Sequence, residues 1–195
     1  MAKYTTKTDS SFPDYKVKLR LDNLPEKRPF SVLDCFCGNG IIWNRIMQLR
    51  PELKFKILSI DKKPMTEQLH LIGDNVKFLE SVNVGQFDAI DLDAYGSPHK
   101  QLTWLLRGER LKKGTIIYIT FIQSLYGALP GSFLHDLGYS KKMVQKIPTL
   151  FYRHGQAKLL DWLWLKGIRN VKYYTDKTRK KTYLCFKMGD DSCER

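Results

Sequence analysis

Four aspartates in this sequence each stand just beyond a short apolar run: Val32-Leu33 leads to Asp34, Leu58-Ser59-Ile60 to Asp61, Leu71-Ile72-Gly73 to Asp74, and Ile90-Asp91-Leu92 to Asp93. The first leads into Cys35-Phe36-Cys37-Gly38-Asn39-Gly40. Glycines at 38 and 40 permit a tight turn and let a ligand approach the backbone closely. A dinucleotide site calls for a third glycine at position 43, where Trp43 stands, so a pyrophosphate seated on the following helix is disfavoured. An acid just ahead of the turn suits a cationic ligand that carries no phosphate. Asp61 follows Gly40 by 21 positions, the separation at which a carboxylate accepts from both hydroxyls of a ribose. The same residue begins Asp61-Lys62-Lys63-Pro64, which is also good turn sequence, and Asp74 is equally suited to cap a helix starting at Asn75.

S-adenosylmethionine meets those requirements, since it joins an ammonium and a sulfonium to a nucleoside. Asp34-x-Phe36-x-Gly38-x-Gly40 resembles the first motif of class I S-adenosylmethionine-dependent methyltransferases. That resemblance implies a three-layer α/β Rossmann-like fold, with Asp34, Phe36, Gly38, Gly40 and Asp61 around the cofactor. It also implies an adenine-recognition turn at Asp74-Asn75, where the carboxylate accepts from the exocyclic amine and the backbone donates to the ring. The link from Asp61 to Asp74 is 13 residues, short for the helix the family places there.

The fourth stretch, Asp91-Leu92-Asp93-Ala94-Tyr95-Gly96-Ser97-Pro98, resembles the catalytic motif of amino-methylating nucleic-acid methyltransferases. The nearest version is that of the tRNA guanine exocyclic-amine (N2,N2) dimethyltransferases, Asp-x-Asp-Pro-Phe-Gly-Ser-Pro. Here Ala94 replaces the first proline and Tyr95 supplies the aromatic ring. The chemistry accounts for the residue types. A purine's exocyclic amine is a poor nucleophile because its lone pair is delocalised into the ring. Asp93, as the catalytic carboxylate, would accept the amine hydrogens and favour a pyramidal nitrogen, while Tyr95 would stack on the extruded base. No Pro-Cys dipeptide occurs, so the nucleophile of cytosine ring-carbon methyltransferases is missing. The implied activity is methyl transfer to an exocyclic amine of a purine in RNA or DNA. The alternatives are the same fold acting on a protein or small-molecule amine, and a non-catalytic nucleic-acid-binding module on a decayed scaffold.

These residues need strands and helices to hold them. Pro29–Phe36 reads as a buried strand, and Phe55–Ile60, Leu69–Ile72, Phe87–Leu92 and Thr115–Ile122 read as further strands. Ile41–Leu49, Asn75–Val82, His99–Leu111 and Leu150–Gly167 read as helices, the last with an apolar face of Leu159, Leu160, Leu163 and Trp164, although Asn75–Glu80 also suits a strand. Val171–Thr175 and Thr182–Met188 alternate around a polar turn, which predicts a hairpin. The expectation is a mostly parallel seven-stranded sheet ending in a C-terminal antiparallel hairpin. Residues 1–28 show no sustained period and read as a basic arm; 29–195 read as a single methyltransferase domain with an irregular insertion at 124–148.

Composition supports a nucleic-acid partner. Thirty-three Lys and Arg against 20 Asp and Glu give a formal charge of +13, and residues 137–195 alone carry a net +9. A stripe of Trp162, Trp164, Tyr173 and Tyr174, close to Lys166, Arg169 and Lys172, suits base stacking or core packing. Lys141, Lys142 and Lys146 of the insertion suit a loop that faces substrate. Four cysteines and four histidines lack metal or disulfide spacing, so no metal is expected. No window is long and apolar enough to span a membrane, and a cytoplasmic location is expected. The sequence does not specify an oligomeric state.

Overall fold

The computed structural model describes residues 13–26, 29–63, 70–95, 97–122, 131–147, 154–175 and 181–189. Seven strands form one sheet: β1 (Phe30–Asp34), β2 (Phe55–Asp61), β3 (Leu71–Ile72), β4 (Ala89–Leu92), β5 (Ile116–Ile122), β6 (Val171–Thr175) and β7 (Lys181–Lys187). Their order is β3-β2-β1-β4-β5-β7-β6. The first five are mutually parallel, and β7 runs antiparallel to both β5 and β6, as the alternation in the last two strands predicts. The chain winds outward from β1 to β3, then returns to lay β4 on the other side of β1. The switch in strand order therefore falls between β1 and β4, where ligands bind in open α/β sheets.

Helices cover both faces. On one side lie α1 (Pro13–Leu21) and α2 (Ile41–Leu49), packed through Val17, Leu19, Trp43 and Ile46 onto Val32, Ala89 and Tyr118. On the other lie α3 (Asn75–Ser81), α4 (His99–Leu105), α5 (Gly131–Asp136) and α7 (Gly155–Leu165), packed through Leu79, Leu102, Phe133 and Trp162 onto Leu33, Ile90 and Ile117. The short helix α6 (Lys141–Lys146) follows α5. No helix among the described residues is long and apolar enough to cross a membrane.

Several elements depart from the sequence reading. Pro13–Leu21, within the stretch read as an irregular lead-in, is a helix. Its buried positions are Lys16, Val17, Leu19 and Arg20, an i, i+1, i+3, i+4 stripe. Two of the four are cations, so hydropathy alone does not register the period. Of the segment read as an irregular insertion, residues 124–130 and 148 lie outside the described residues, while 131–136 and 141–146 form helices anchored by Phe133 and the Ser140 cap. The helix expected over His99–Leu111 ends at Leu105. In α7 it is Trp162, not Trp164, that joins Leu159 and Leu163 in the core. Its ring stacks on Phe133 at 3.9 Å and its Nε1 donates to Asp136 at 2.8 Å, whereas Trp164 is 56% exposed.

The cations on α1 are buried because β4 carries two carboxylates to meet them. Arg20 Nε and Nη2 donate to Asp91 Oδ2 and Oδ1 at 2.8 and 2.7 Å, and Lys16 Nζ lies 2.8 Å from Asp93 Oδ1 and 2.9 Å from Oδ2. The spacing matches. Four residues along a helix advance about 6 Å, and two along a strand about 6.6 Å, so Lys16-x-x-x-Arg20 registers on Asp91-x-Asp93. Trp43 Nε1 also donates to Asp91 Oδ2 at 2.8 Å. Removing one member of a buried, hydrogen-bonded pair strands the other charge. Arg20→Met is accordingly expected to cost about 3–5 kcal/mol. Lys18→Met, whose ion pair with Asp22 is exposed, should cost less than about 1 kcal/mol. Urea unfolding midpoints of the two variants measure the difference, and equal losses would remove the special status given to the buried pair.

Candidate active site

Register alone brings three of the four expected carboxylates to one cup. Asp34, at the carboxyl end of β1, pairs with Ser59 of β2 on one side and Asp91 of β4 on the other. Asp61 and Asp93 stand two residues beyond those partners, so strand alternation keeps them on the face that Asp34 uses. Each is about 6.6 Å farther up its strand. Asp34 forms the floor, with Asp61 and Asp93 on either side. Asp74 continues the row, two residues past Ile72, which pairs with Asp61.

The glycine turn closes over this floor. Gly38 and Gly40 have φ of 49° and 67°, the left-handed region in which a side chain is strained. Gly40 N–H donates to Cys37 O at 2.8 Å, and Gly38 N–H donates to Asp61 Oδ2 at 3.1 Å. Asp61 is thus tied to the turn by one oxygen while Lys63 N–H donates to the other at 3.1 Å. Phe36 packs against the core, and its N–H donates to Asp34 Oδ1 at 3.3 Å. The Cys37 thiol is pushed up to about 12 by burial and by Asp34 and Asp61, both close enough to repel a thiolate.

The electrostatics of the floor are unusual. Burial, with Asp91 alongside, raises the Asp34 carboxyl well above the usual carboxylate range, and the Phe36 N–H only partly opposes that. Burial also raises Asp91, against the pull of Arg20. Asp93, partly buried, takes Lys16 on both oxygens and the Thr120 hydroxyl on Oδ1. Asp34, Asp91 and Asp93 together face two cations, Arg20 and Lys16, both spoken for by Asp91 and Asp93. Asp34 has no cation of its own among the described residues.

The remaining candidates occupy different settings. Asp74 Oδ1 accepts from Val76 N at 2.9 Å and Lys77 N at 3.4 Å, capping α3, and Asp74 Oδ2 lies 3.1 Å from Lys62 Nζ. The side chain of Asn75 is committed to the scaffold: Nδ2 donates to Cys35 O at 2.9 Å, and Oδ1 accepts from Gln101 Nε2 at 2.7 Å. Tyr95 projects from the loop after Asp93 and is 71% exposed. Ala94, in the place of the motif's proline, is buried. The aromatic band divides between the two roles considered for it. Trp162 is core and Tyr174 stacks on Tyr15 at 5.7 Å, while Trp164, under the Arg169 guanidinium at 3.9 Å, and Tyr173 are exposed. A cavity of about 570 Å³ opens at the amino-terminal ends of β1 and β2, between Ser31, Lys56, Gln86 and Asp88, away from every motif residue.

Sequence reasoning passed over Lys16, Arg20, Asp91 and Thr120. A signal for them exists in the two spacings, Lys-x-x-x-Arg and Asp-x-Asp, but nothing local connects segments more than 70 residues apart.

No family model matches this sequence, and no curated protein matches it. Solved structures do match the fold. A S-adenosylmethionine-dependent methyltransferase from Archaeoglobus fulgidus aligns with a TM-score of 0.52 at 15% identity, over 88% of this chain and 91% of that one. A possible exported protein from Bordetella parapertussis aligns with a TM-score of 0.56 at 13% identity, over 90% of this chain and 66% of the other. Phosphoethanolamine N-methyltransferase 2 from Haemonchus contortus, in complex with S-adenosyl-L-methionine, aligns with a TM-score of 0.51 at 14% identity, over 85% of this chain and 39% of that longer one. The strand order and the antiparallel β7 agree with these matches. This is the class I methyltransferase fold.

Within that fold, Asp34 has a measurable signature. Its native carboxyl titrates above its unfolded value. The folded chain therefore holds an extra proton between the two values, and stability falls as pH rises through that window, which opens at about pH 4. Asp34→Asn should be more stable than the unaltered chain at pH 7.5, with the gain shrinking to nothing as pH drops to about 4. Urea titrations across that range test this; a gain independent of pH would contradict it.

Proposed function

We propose that the chain is a S-adenosylmethionine-dependent methyltransferase acting on an exocyclic amino group of a purine base in RNA or DNA. The observation that carries the first half is the charge count at the switch point. A buried carboxyl with no cation of its own among the described residues, below a turn built from left-handed glycines, is a seat for a ligand that brings positive charge. S-adenosylmethionine fits by its ammonium and sulfonium, and when bound it supplies an electrophilic methyl group. Asp34 would take the ammonium, with the backbone at Gly38 and Gly40 close against it. Asp61 would accept from the ribose, with Phe36 holding the turn. Asp74 and the backbone at Asn75 would flank the adenine. Two of the three structural matches named above are S-adenosylmethionine-linked methyltransferases, which supports methyl transfer as the reaction.

The second half rests on the loop after β4. Asp93 has four lone-pair directions. Lys16 occupies one on each oxygen and Thr120 another on Oδ1, which leaves a direction on Oδ2 for an amine N–H. Lys16 and Thr120 hold the carboxylate in a fixed orientation, so the accepting oxygen is set before a base arrives. Drawing hydrogen-bond density from the amine favours a pyramidal nitrogen and frees its lone pair for in-line attack. Tyr95, exposed beside Asp93, offers its ring face to an extruded base. The net charge of +13 favours a polyanionic substrate over a cationic amine.

Incubation with radiolabelled methyl donor and total RNA or genomic DNA, followed by nucleoside mass spectrometry, tests the whole reading. A methylated purine amine is the expected product. Asp93→Asn, which keeps the shape and one oxygen to accept from Lys16, should lower methyl transfer by about two to four orders of magnitude. Calorimetry should find its S-adenosylmethionine affinity within a few-fold. Asp34→Asn should instead weaken S-adenosylmethionine binding by about tenfold or more. Activity surviving Asp93→Asn would remove the assignment.

A further inference from the structure

We infer that α6, together with the start of α4, forms a grip for the phosphate backbone of a nucleic-acid substrate beside the carboxyl rim. The inference rests on the proposed nucleic-acid substrate and adds where that substrate is held. Lys141, Lys142 and Lys146 are all exposed on α6, and among the described residues none is paired with a carboxylate. The same helix exposes Met143 at 49%, and Ile147 follows it at 54%. A large apolar side chain exposed between lysines, with a second just after them, suits sugar and base faces flanked by phosphates. Asp136, the one carboxylate between residues 131 and 147, is already held by Lys166 at 2.8 Å and by Trp162.

Position strengthens the case. β5 points its carboxyl end at the rim, and the chain that continues from it leads to α5 and α6. Phe133 of α5 meets the His99 ring edge-on at 6.1 Å, which ties the insertion to the first residue of α4, just past the Asp93–Pro98 loop. Lys100, exposed on that first turn, extends the basic surface toward Tyr95. Ser140 caps α6 by accepting from Met143 N at 3.2 Å, and Val144 packs against the core, so the lysines are displayed from an anchored helix.

The experiment compares two triple variants of equal charge change. K141Q/K142Q/K146Q alters α6; K54Q/K56Q/K113Q alters exposed lysines at the amino-terminal ends of β2 and β5, the side of the sheet away from the carboxyl rim. Filter binding of unfractionated tRNA, and of single-stranded RNA and DNA oligonucleotides of one length, is followed across a salt series. The α6 variant is expected to lower the log–log salt slope by about 2, from three cations at roughly 0.7 each, while the control leaves it nearly unchanged. The RNA and DNA arms identify which backbone is preferred. Lysine-acetylation footprinting of the unaltered chain gives a second reading that does not depend on a variant folding: tRNA should protect Lys141, Lys142 and Lys146 but not Lys54, Lys56 or Lys113. An unchanged slope, equal losses in the two variants, or absent protection overturns the grip while leaving the methyltransferase reading intact. An unaltered chain that binds no nucleic acid overturns both the grip and the substrate class.

Discussion

The buried union of α1 with β4 is the constraint around which the molecule is arranged. Asp91 sits in the central strand of the sheet, paired in register with Asp34, where an unmatched carboxylate would be prohibitively costly. Arg20 answers it through two hydrogen bonds, Trp43 adds a third, and the guanidinium also lies over the rings of Trp43 and Tyr118. Arginine suits this place because its planar fork matches a carboxylate and tolerates aromatic neighbours. One turn earlier on the same helix, Lys16 meets Asp93. A single short helix therefore sets the charge at the middle of the sheet and at its rim.

That arrangement gives the site a polarity opposite to that of the surface. The chain as a whole is strongly basic, yet Asp34, Asp61, Asp74 and Asp93 line four neighbouring strand ends. On the proposed function, the cationic envelope would draw a polyanion to the outside and the carboxylates would hold a cationic small molecule within. Steering by the envelope acts over roughly 10 Å at ordinary salt, while the buried carboxylates are screened far less. The two fields can coexist because they operate at different ranges.

Much of the fold is legible in the residues. Ile41–Leu49 is helical as its apolar spacing says, β1 to β4 fall where short apolar runs precede Asp34, Asp61, Asp74 and Asp93, and the terminal alternation gives the antiparallel pair. The glycines at 38 and 40 adopt the left-handed conformation that glycine-x-glycine spacing suggests. What stayed hidden has a common cause: the governing partner is distant in sequence. Helix α1 conceals its period because Lys16 and Arg20 occupy core positions, and only Asp93 and Asp91 make that tolerable. The swap of Trp162 for Trp164 on the buried face of α7 likewise depends on Phe133 and Asp136, which no window around the helix contains. Asn75 is held by Cys35 and Gln101 through contacts of the same long-range kind.

The 71 residues that separate Arg20 from Asp91 also bear on how the chain assembles. Helix α1 is too short to persist alone, and its inward face carries two full charges that prefer water until their counterparts are in place. Asp91, for its part, gives up hydration only once a guanidinium is there to receive it. Bringing α1 to β4 therefore carries a large loop-closure entropy, which the buried pair must offset. The hollow beside Asp34 is walled by that same pairing, so its final shape requires α1 and β4 to be joined.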